Sequence, residues 1–243
     1  MRSEESFASL VRSEIASELP NESAIGTADT LMRLCTAAVR VLPANGAAVS
    51  LITNSGPAGI VASSSPWALG VAELQFTLGE SPGWDAFESR APVLTQDLSG
   101  IESQRWPGYA ASAIEHGVGS VFAFPLVLGA SRIGVLDVYR EAPSNLSDHA
   151  LEYAIAFSRV ATAELIEGQA QAGTGGTPLG FDDALDSQFT IYQAQGMVMI
   201  QLGVPLSEAM SRMRAHAYAN DLGLGQVARD VVNRTLDLSD DQR

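Results

Sequence analysis

The sequence predicts an α+β protein, in which an antiparallel sheet flanked by helices is followed by a separate bundle of three helices. Three observations lead to this fold class. Apolar residues recur at helical spacing near the start of the chain and again over 148–170. Runs rich in valine, isoleucine, leucine and phenylalanine lie between these stretches and are typical of strands. A segment of glycine, alanine, threonine and glutamine at 168–180 then precedes a tail that has helical patterns alone.

Two helices are predicted ahead of the first strand. Residues 5–19 carry one apolar helical face, and Pro20 ends that helix. A second helix spans about 27–42. The sole cysteine of the chain, Cys35, lies among its apolar positions, so we interpret it as a small core residue rather than a reactive thiol.

Two strand pairs are predicted from apolar runs on either side of a turn. Residues 45–65 form two short strands around a turn at 54–59. The clearest strand signal is 118–140, where two apolar runs flank a hairpin connection at 129–131. The region between the pairs is rich in loops, and its best-formed part, 78–98, is interpreted as a short helix between extended segments.

A long helix over about 148–170 follows the second strand pair. Ser147 has the residue type of an N-cap, and Leu146 with Leu151 fits a hydrophobic staple around it. Beyond the linker, helices are predicted at about 184–202, 206–219 and 224–236, and the last residues form a frayed tail. The chain therefore divides into an N-terminal helix (1–24), a mixed domain (25–167), a linker (168–180) and a helical module (181–238).

The charge of the chain excludes several functions. All 14 basic residues are arginines, and the net charge is −14. Without lysine the chain has no P-loop lysine, no Schiff-base amine, no kinase strand lysine and no phospho-receiver lysine. The negative charge opposes unspecific attraction to nucleic acids or anionic membranes. Within 187–236, however, four arginines outnumber three acids, so this segment is not repelled by a polyanion.

Two apparent active-site signals do not hold. Gly79–Gly83 matches the G-x-S-x-G nucleophile elbow, but the residue after its serine is Pro82, which has no N–H for an oxyanion hole. The three histidines lie near no cysteine or carboxylate at metal-ligand spacing, so no metal site is expected. We predict no enzyme activity.

The sequence also has no apolar run of membrane-spanning length and no apolar signal segment, which predicts a cytoplasmic protein without a membrane partner.

Gly196 is unusual because it stands inside a strong helix pattern, where glycine costs about 1 kcal/mol relative to alanine. A helical wheel puts Ile191, Ala194, Val198 and Leu202 on a core stripe, whereas Tyr192, Gly196 and Met199 form a second stripe about a quarter turn away. Two explanations remain open. The third helix packs closely against the glycine, or an unpaired RNA base approaches it beside the Tyr192 ring.

The next helix supplies cations. Arg212 and His216 are four residues apart, as are Arg214 and Tyr218, and we interpret them as two adjacent polar rows. We expect Arg229 and Arg234 to extend this surface from the third helix. The planar guanidinium group suits phosphate because it donates two hydrogen bonds at once. For any single arginine a solvated face is the simpler interpretation, but the cluster favours RNA.

The segment 191–236 resembles the ANTAR family of RNA-binding transcription-antitermination domains. The residues that carry the resemblance are Ala194-x-Gly196 in the first helix, Glu208-Ala209 and the run from Arg212 to Tyr218 in the second, and Val227-Ala228-x-x-Val231-Val232 in the third. The family often has lysine where this chain has Gln195, and a serine-type N-cap where it has Pro205. The resemblance implies an RNA-binding surface formed by Tyr192, Gln195, Gly196, Arg212, Arg214, His216, Tyr218 and Arg229.

The preceding part of the chain is similar to a GAF domain in its order of elements and in the segments 78–98 and 118–140. GAF domains sense small ligands or serve as dimer platforms, and the cofactor or ligand of this one is unknown from the sequence. Its pocket residues would come from Phe76, Trp84, Phe122 and Phe124, which are equally good core residues. The apolar stripes of the helices at 5–19 and 148–170 predict a homodimer through a four-helix bundle.

These resemblances imply a regulator that holds tandem stem-loops in the leaders of nascent mRNA and so prevents a terminator hairpin. Two alternatives stay open. The first is a small-molecule sensor that acts through a protein partner without RNA, which the acidic balance and Gln195 favour. The second is a DNA-binding helix-turn-helix, for which the 224–236 helix has few cations, Arg229 and Arg234 against Asp230.

Overall fold

The computed structural model describes residues 4–20, 26–53, 56–172, 182–220 and 222–239. The elements, in chain order, are α1 (Glu4–Ser17), α2 (Gly26–Val41), β1 (Gly46–Thr53), β2 (Gly56–Ser63), α3 (Pro66–Leu78), α4 (Pro82–Ser89), β3 (Val93–Thr95), a 3₁₀ helix (Ile101–Arg105), α5 (Pro107–Glu115), β4 (Ser120–Leu128), β5 (Ser131–Arg140), α6 (Asp148–Ala172), α7 (Asp182–Leu202), α8 (Leu206–Ala219) and α9 (Leu224–Val232).

A five-stranded antiparallel sheet in the order β2-β1-β5-β4-β3 is the frame of the first domain. The hairpin β4–β5 and the pairing of β1 with β5 put long strands in the middle of the sheet. The short β3 closes one edge against β4, and β2 forms the other edge. We call this part of the chain, up to the end of α6, the sensor domain, the name that its sequence resemblance to GAF domains suggests.

The two faces of the sheet have different cores because successive side chains of a strand point to opposite sides. On one face, Phe122 and Phe124 of β4 and Val138 of β5 pack with α1, α2 and α6. On the other face, Val121 of β4 and Tyr139 of β5 pack with α3 and α5 and with Trp106, which follows the 3₁₀ helix. The sensor domain therefore has three layers, with helices on both sides of the sheet.

Helices α1 and α6 bury their apolar stripes within the same chain. Phe7, Val11 and Ile15 of α1 belong to the same core cluster as Phe157 and Leu165 of α6. The stripes that we expected to pair across two subunits thus already have partners inside one protomer. The physical reason given for a homodimer is therefore wrong, and the homodimer itself stays a prediction.

Helices α7, α8 and α9 form a three-helix bundle with its own core, and we call this bundle the C-terminal module. Ala194 and Val198 of α7, Met213 of α8, and Val227 and Val231 of α9 are fully buried there. The module does not stand apart from the sensor domain. Helix α7 packs against the edge strand β2, whereas α8 and α9 reach α3.

The predicted element types are largely confirmed. The α+β class, the hairpin at 118–140 and the helices around 5–19, 27–42 and 148–170 are all present. The Ser147 hydroxyl accepts a hydrogen bond from the Ala150 N–H, as expected of an N-cap.

One expectation about which elements are present and three about element boundaries are wrong. The region predicted to be rich in loops contains a 13-residue helix, α3, as well as α5. Strand β2 begins at Gly56, so the turn does not extend to 59. Helix α6 continues to Ala172 and takes up 168–172 of the predicted linker. Helix α9 ends at Val232, because the chain turns at Asn233 and Arg234 has a positive φ. The rest of the linker and residues 240–243 of the predicted tail lie outside the described residues.

Among the described residues, no helix combines the length and the apolar character that crossing a bilayer requires.

Candidate nucleic-acid interface

Gly196 lies in the interior of α7 with open space beside it. Ile191, Ala194 and Val198 are buried, as the predicted core stripe requires. A Cβ atom built at Gly196 would meet nothing within 4 Å among the described residues beyond its own helix. The third helix therefore does not approach the glycine closely, and the packing explanation is wrong. The glycine leaves a gap that another molecule can enter.

Large apolar side chains stand on both sides of this gap. Phe189 and Ile200 are seven residues before and four residues after Gly196, so all three share one side of α7. Phe189 is 69% exposed and Ile200 is 77% exposed. Tyr192 and Met199 are half-buried at the border of this strip. We call Phe189, Gly196 and Ile200 the open strip of α7.

Gln195 connects α7 to α8. Its Nε2 atom donates a hydrogen bond of 2.8 Å to the carbonyl oxygen of Leu206, the first residue of α8. The side chain thus takes part in the packing of the module at the position where the ANTAR family often has lysine. One amide hydrogen of Gln195 is therefore already used in a hydrogen bond within the protein.

The two polar rows of α8 lie on opposite flanks of the helix, so the expectation of adjacent rows is wrong. Arg212 and Arg214 are two residues apart, which is about 200° around a helix. The buried residues Ala209, Met213 and Ala217 lie between the rows. The flank of Arg212 and His216 faces away from the sensor domain, and we call it the far flank. The flank of Arg214 and Tyr218 is the sensor-facing flank.

The far flank borders a cleft of about 360 Å³ within the module, together with Leu202 and Leu238. Arg212 donates to Glu208 at 3.2 Å, and both side chains are roughly half exposed. An exposed pair at this spacing contributes only about 0.3–0.5 kcal/mol. The Arg212 guanidinium group is therefore available to a competing anion.

Arg214 is bound to the sensor domain. Its Nε atom donates to the carbonyl oxygen of Phe76 at 3.2 Å, near the C-terminus of α3. Burial at this contact lowers the pKa of the guanidinium group, although the group stays charged at any physiological pH. The end of its side chain lies against Gly79, which caps α3 in the left-handed conformation with a φ of 74°.

Tyr218 and the start of α9 complete the junction. Tyr218 is exposed and lines a cleft of about 430 Å³ between the domains, together with Glu73 of α3 and Glu115 of α5. Leu224, the first residue of α9, donates its N–H to the Thr77 hydroxyl at 3.3 Å. The sequence patterns did not indicate this junction, because no local spacing marks it.

Arg229 is exposed on α9 and donates to Gln226 at 2.9 Å. Burial raises the pKa of the Glu73 carboxyl group, and the charge of Arg229 opposes that rise. Arg229 is therefore electrostatically coupled to the sensor domain. The expected surface residues are divided among the open strip and its border, the far flank and the domain junction, rather than gathered on one face.

A buried polar cluster lies in the sensor domain, between the sheet and α3 and α4. The Gln75 amide donates to the Ser50 hydroxyl and to the Asp137 carboxylate at 3.2 and 3.3 Å. The Ser81 hydroxyl donates to the Gln75 amide oxygen at 3.2 Å. Burial raises the pKa of Asp137 to about 7, and none of the described residues forms a hydrogen bond with its Oδ1 atom.

Sequence reasoning missed Asp137. The signal was present in the strand 131–140, where the alternation of side chains puts a lone carboxylate on the same face as Val135 and Tyr139. A charged residue at such a position faces a core and requires an explanation.

The four aromatic residues considered for a ligand pocket do not share a site. Phe122 and Phe124 are buried on the sheet face that α2 and α6 cover. Phe76 is buried on the opposite face, where Trp84 packs against it. A single pocket cannot include all four.

The false active-site signal has a structural role. Ser81 is the N-cap of α4, and its hydroxyl accepts a hydrogen bond from the Trp84 N–H at 3.1 Å.

Across the described parts of the chain, no three His, Cys, Asp or Glu side chains come together as a metal site would require. Cys35 is buried, which raises the pKa of its thiol to about 12 and confirms its place in the core.

The chain belongs to the GAF family, since the GAF domain matches residues 26–164, more than half of its length. An ANTAR domain matches residues 181–232. The protein is thus a regulator of the GAF-ANTAR architecture. ANTAR domains are RNA-binding domains of antitermination regulators and GAF domains sense small molecules, and neither is a catalytic domain.

Solved structures confirm the fold of the sensor domain. The GAF domain of a phosphoenolpyruvate-protein phosphotransferase from Acinetobacter aligns with a TM-score of 0.50 and 14% identity, over 72% of this chain and 100% of that one. The corresponding domain from Coxiella burnetii aligns with a TM-score of 0.51 and 13% identity, over 70% of this chain and 97% of that one. No curated protein matches the chain.

Proposed function

We propose that this protein is a transcription antitermination regulator that binds tandem stem-loops in nascent mRNA leaders through its C-terminal module. Holding the loops prevents the competing terminator hairpin from forming, so that polymerase continues. The observation that carries the proposal is the open space at Gly196, inside a domain of an RNA-binding family. Helix interiors disfavour glycine unless close approach of another molecule requires it.

The chemistry of the neighbouring residues suits an RNA loop. Unpaired bases stack on aromatic rings, and Phe189 is exposed while Tyr192 lies at the border of the gap. Arg212 on the far flank can exchange its exposed partner Glu208 for a phosphate group, because that pair is weak. One arginine and a stacking site give modest affinity per module, so binding of two loops by a homodimer would raise the overall affinity.

The sensor domain would control this binding from the cytoplasm. A small ligand or a change in the association of two chains is the input that GAF domains generally supply.

The open strip also suits a protein partner. Phe189 and Ile200 are large exposed apolar side chains, and such residues on one helix side are typical of protein contacts. A regulator that acts through a protein partner without RNA is therefore the second candidate function. RNA-binding measurements separate the two.

The test is fluorescence anisotropy with a labelled leader RNA that carries two stem-loops. We expect Gly196→Leu and Arg212→Ala each to weaken binding at least tenfold, because the first fills the gap and the second removes a phosphate contact. The control variant is Arg105→Ala, which removes an exposed arginine of the sensor domain. Circular dichroism checks that helicity is unchanged. Equal binding of a scrambled RNA, or full binding by Gly196→Leu, would defeat the RNA proposal and favour the protein partner.

A further inference from the structure

We propose that the sensor domain competes with RNA for the sensor-facing flank of α8, so that RNA cannot contact this flank while the two domains are docked. The inference rests on the proposed RNA-binding function. It assigns a role to a specific surface of the sensor domain, Phe76–Gly79 at the end of α3, which we call the docking end.

The docking end binds Arg214 through a carbonyl group at the C-terminus of α3. The last carbonyl groups of a helix lack intrahelical donors and carry partial negative charge. The Phe76 carbonyl oxygen is one of these groups and accepts from Arg214 Nε at 3.2 Å. Because Gly79 has no side chain, the guanidinium group occupies the space that a Cβ atom would fill there. With Nε bound to Phe76 and the end of the guanidinium group packed against Gly79, Arg214 cannot at the same time form a bidentate contact with phosphate.

The docking end also completes the N-terminus of α9. The first N–H groups of a helix need partners from outside the helix. Gly223, at the N-cap of α9, offers no side-chain acceptor, and the Thr77 hydroxyl accepts from the Leu224 N–H instead. Thr77 is 6% exposed, so this contact is shielded from water. Two neighbouring residues of the sensor domain thus hold two helices of the module.

The charges at the junction oppose RNA. Glu73 and Glu115 line the cleft beside Tyr218, and Glu73 is electrostatically coupled to Arg229. These carboxylates occupy the side of the module where phosphate groups would have to lie if RNA contacted Arg214, Tyr218 and Arg229. Phosphate beside the two carboxylates would be repelled. Docking and RNA contact at this flank are therefore mutually exclusive.

Mutual exclusion has a reciprocal consequence. If docking weakens RNA binding by a given factor, RNA must weaken docking by the same factor. A signal that loosens the docking end would raise RNA affinity without changing any residue that contacts RNA. Gln75 connects this end of α3 to the buried cluster: its side chain belongs to the cluster, and its backbone carbonyl oxygen accepts from Gly79 N–H and Trp84 Nε1.

The test uses the full chain with two substitutions in the docking end, Gly79→Asn and Thr77→Val. Asparagine tolerates the left-handed conformation of residue 79, but its side chain takes the space of the Arg214 guanidinium group. Valine keeps the shape of threonine and removes the acceptor for Leu224 N–H. The matched control is Gly129→Asn with Thr162→Val, since Gly129 also has a positive φ but faces open space, and Thr162 is a similarly buried threonine in α6.

Docking is measured without RNA, by hydrogen exchange of the peptide that contains Leu224. We expect faster exchange in the docking-end variant than in the control, because the Leu224 N–H loses its partner. RNA affinity is then measured by anisotropy, and we expect it to rise about three- to tenfold, the range that one or two lost hydrogen bonds provide. Added RNA should also speed exchange of the same peptide in the unsubstituted chain.

The outcomes separate this inference from the proposed function. Faster exchange with unchanged RNA affinity would overturn the competition and leave RNA binding intact. Unchanged exchange in the docking-end variant would overturn the docking contacts themselves. If neither variant nor the unsubstituted chain bound leader RNA, the RNA proposal would fail, and the competition would fail with it.

Discussion

Asp137 stands between Leu136 and Val138 in a central strand, and its side chain enters the core of the sensor domain. Gln75 donates to one carboxylate oxygen, whereas the other oxygen accepts no hydrogen bond from any residue that the structure describes. Because ionisation of a buried carboxyl group without full hydrogen bonding is unfavourable, burial raises its pKa to about 7. A residue with this pKa changes charge near physiological pH. Folding stability should therefore depend on pH through this one group.

We expect the substitution Asp137→Asn to remove this dependence. The pKa of Asp137 is about 7 in the folded chain and about 4 in an unfolded chain. Between these values the folded state retains the proton, so the stability that Asp137 contributes is complete below pH ~4 and is lost as pH rises to about 7. Relative to the variant, the unsubstituted chain should lose up to about 4 kcal/mol over this window. Urea unfolding at several pH values measures the difference.

The control for this prediction is Asp97→Asn. Hydrogen bonds from Ser99 lower the pKa of the Asp97 carboxyl group, so its contribution to stability is present at neutral pH and lost as pH falls. The two variants should therefore change the pH profile in opposite directions. A parallel pH profile for Asp137→Asn and the unsubstituted chain would contradict the assignment of a raised pKa to Asp137.

At the scale of elements, helix α3 takes part in the packing of both domains. Helix α3 contacts the sheet on one side, α5 on another, and α8 and α9 at its end. Its side chains are apolar nearly all around, so the sequence lacks the one-sided pattern that usually reveals a helix. Local residues nevertheless mark both ends of α3. Ser65 is the N-cap and accepts from Ala68 N–H, Pro66 follows it, and Gly79 ends the helix.

We expect Gly196→Ala in α7 to stabilise the protein by about 0.5–1 kcal/mol. The new methyl group meets open space, and alanine is the better helix former. Gly168→Ala in α6 is the contrasting substitution, because its Cβ would overlap the side chain of Thr27, and it should destabilise the protein. Thermal unfolding of both variants provides the measurement. A destabilised Gly196→Ala would show that something in the folded protein fills the gap.

At the scale of the whole molecule, the net charge of −14 opposes the proposed RNA binding. The arginines of the module would have to attract RNA against the field of the entire chain. In the docked arrangement Arg212 is available on the far flank, whereas Arg214 is held by α3. The number of phosphate contacts per module should therefore be small and should depend on docking.

The salt dependence of binding tests this expectation. For one or two phosphate contacts on single-stranded RNA, the logarithm of the binding constant should fall with the logarithm of salt concentration with a slope of roughly −0.7 to −1.4 per module. The variant with Gly79→Asn and Thr77→Val should have a steeper slope by about 0.7, because Arg214 becomes available to phosphate. Anisotropy titrations between low and moderate salt give both slopes. Identical slopes would mean that Arg214 contacts no phosphate after release.

The sequence by itself determined the α+β class, the two-domain order, the hairpin and the core stripe of α7. These features follow from local periodicity, from turn and capping residues, and from patterns that a family shares, all of which are written in neighbouring residues. It also singled out Gly196, since glycine inside a helix is a local anomaly.

The spacing of Arg212 and Arg214 puts them on opposite flanks of α8, but only the tertiary structure decided which flank contacts the sensor domain. Arg212 and Arg214 are two residues apart, yet one faces solvent and the other reaches Phe76, which is 138 residues earlier in the chain. The same holds for Asp137 and Gln75, which are 62 residues apart and share a hydrogen bond. Contacts of this kind depend on how the helices and the sheet pack in space, and spacing within a segment carries no information about them.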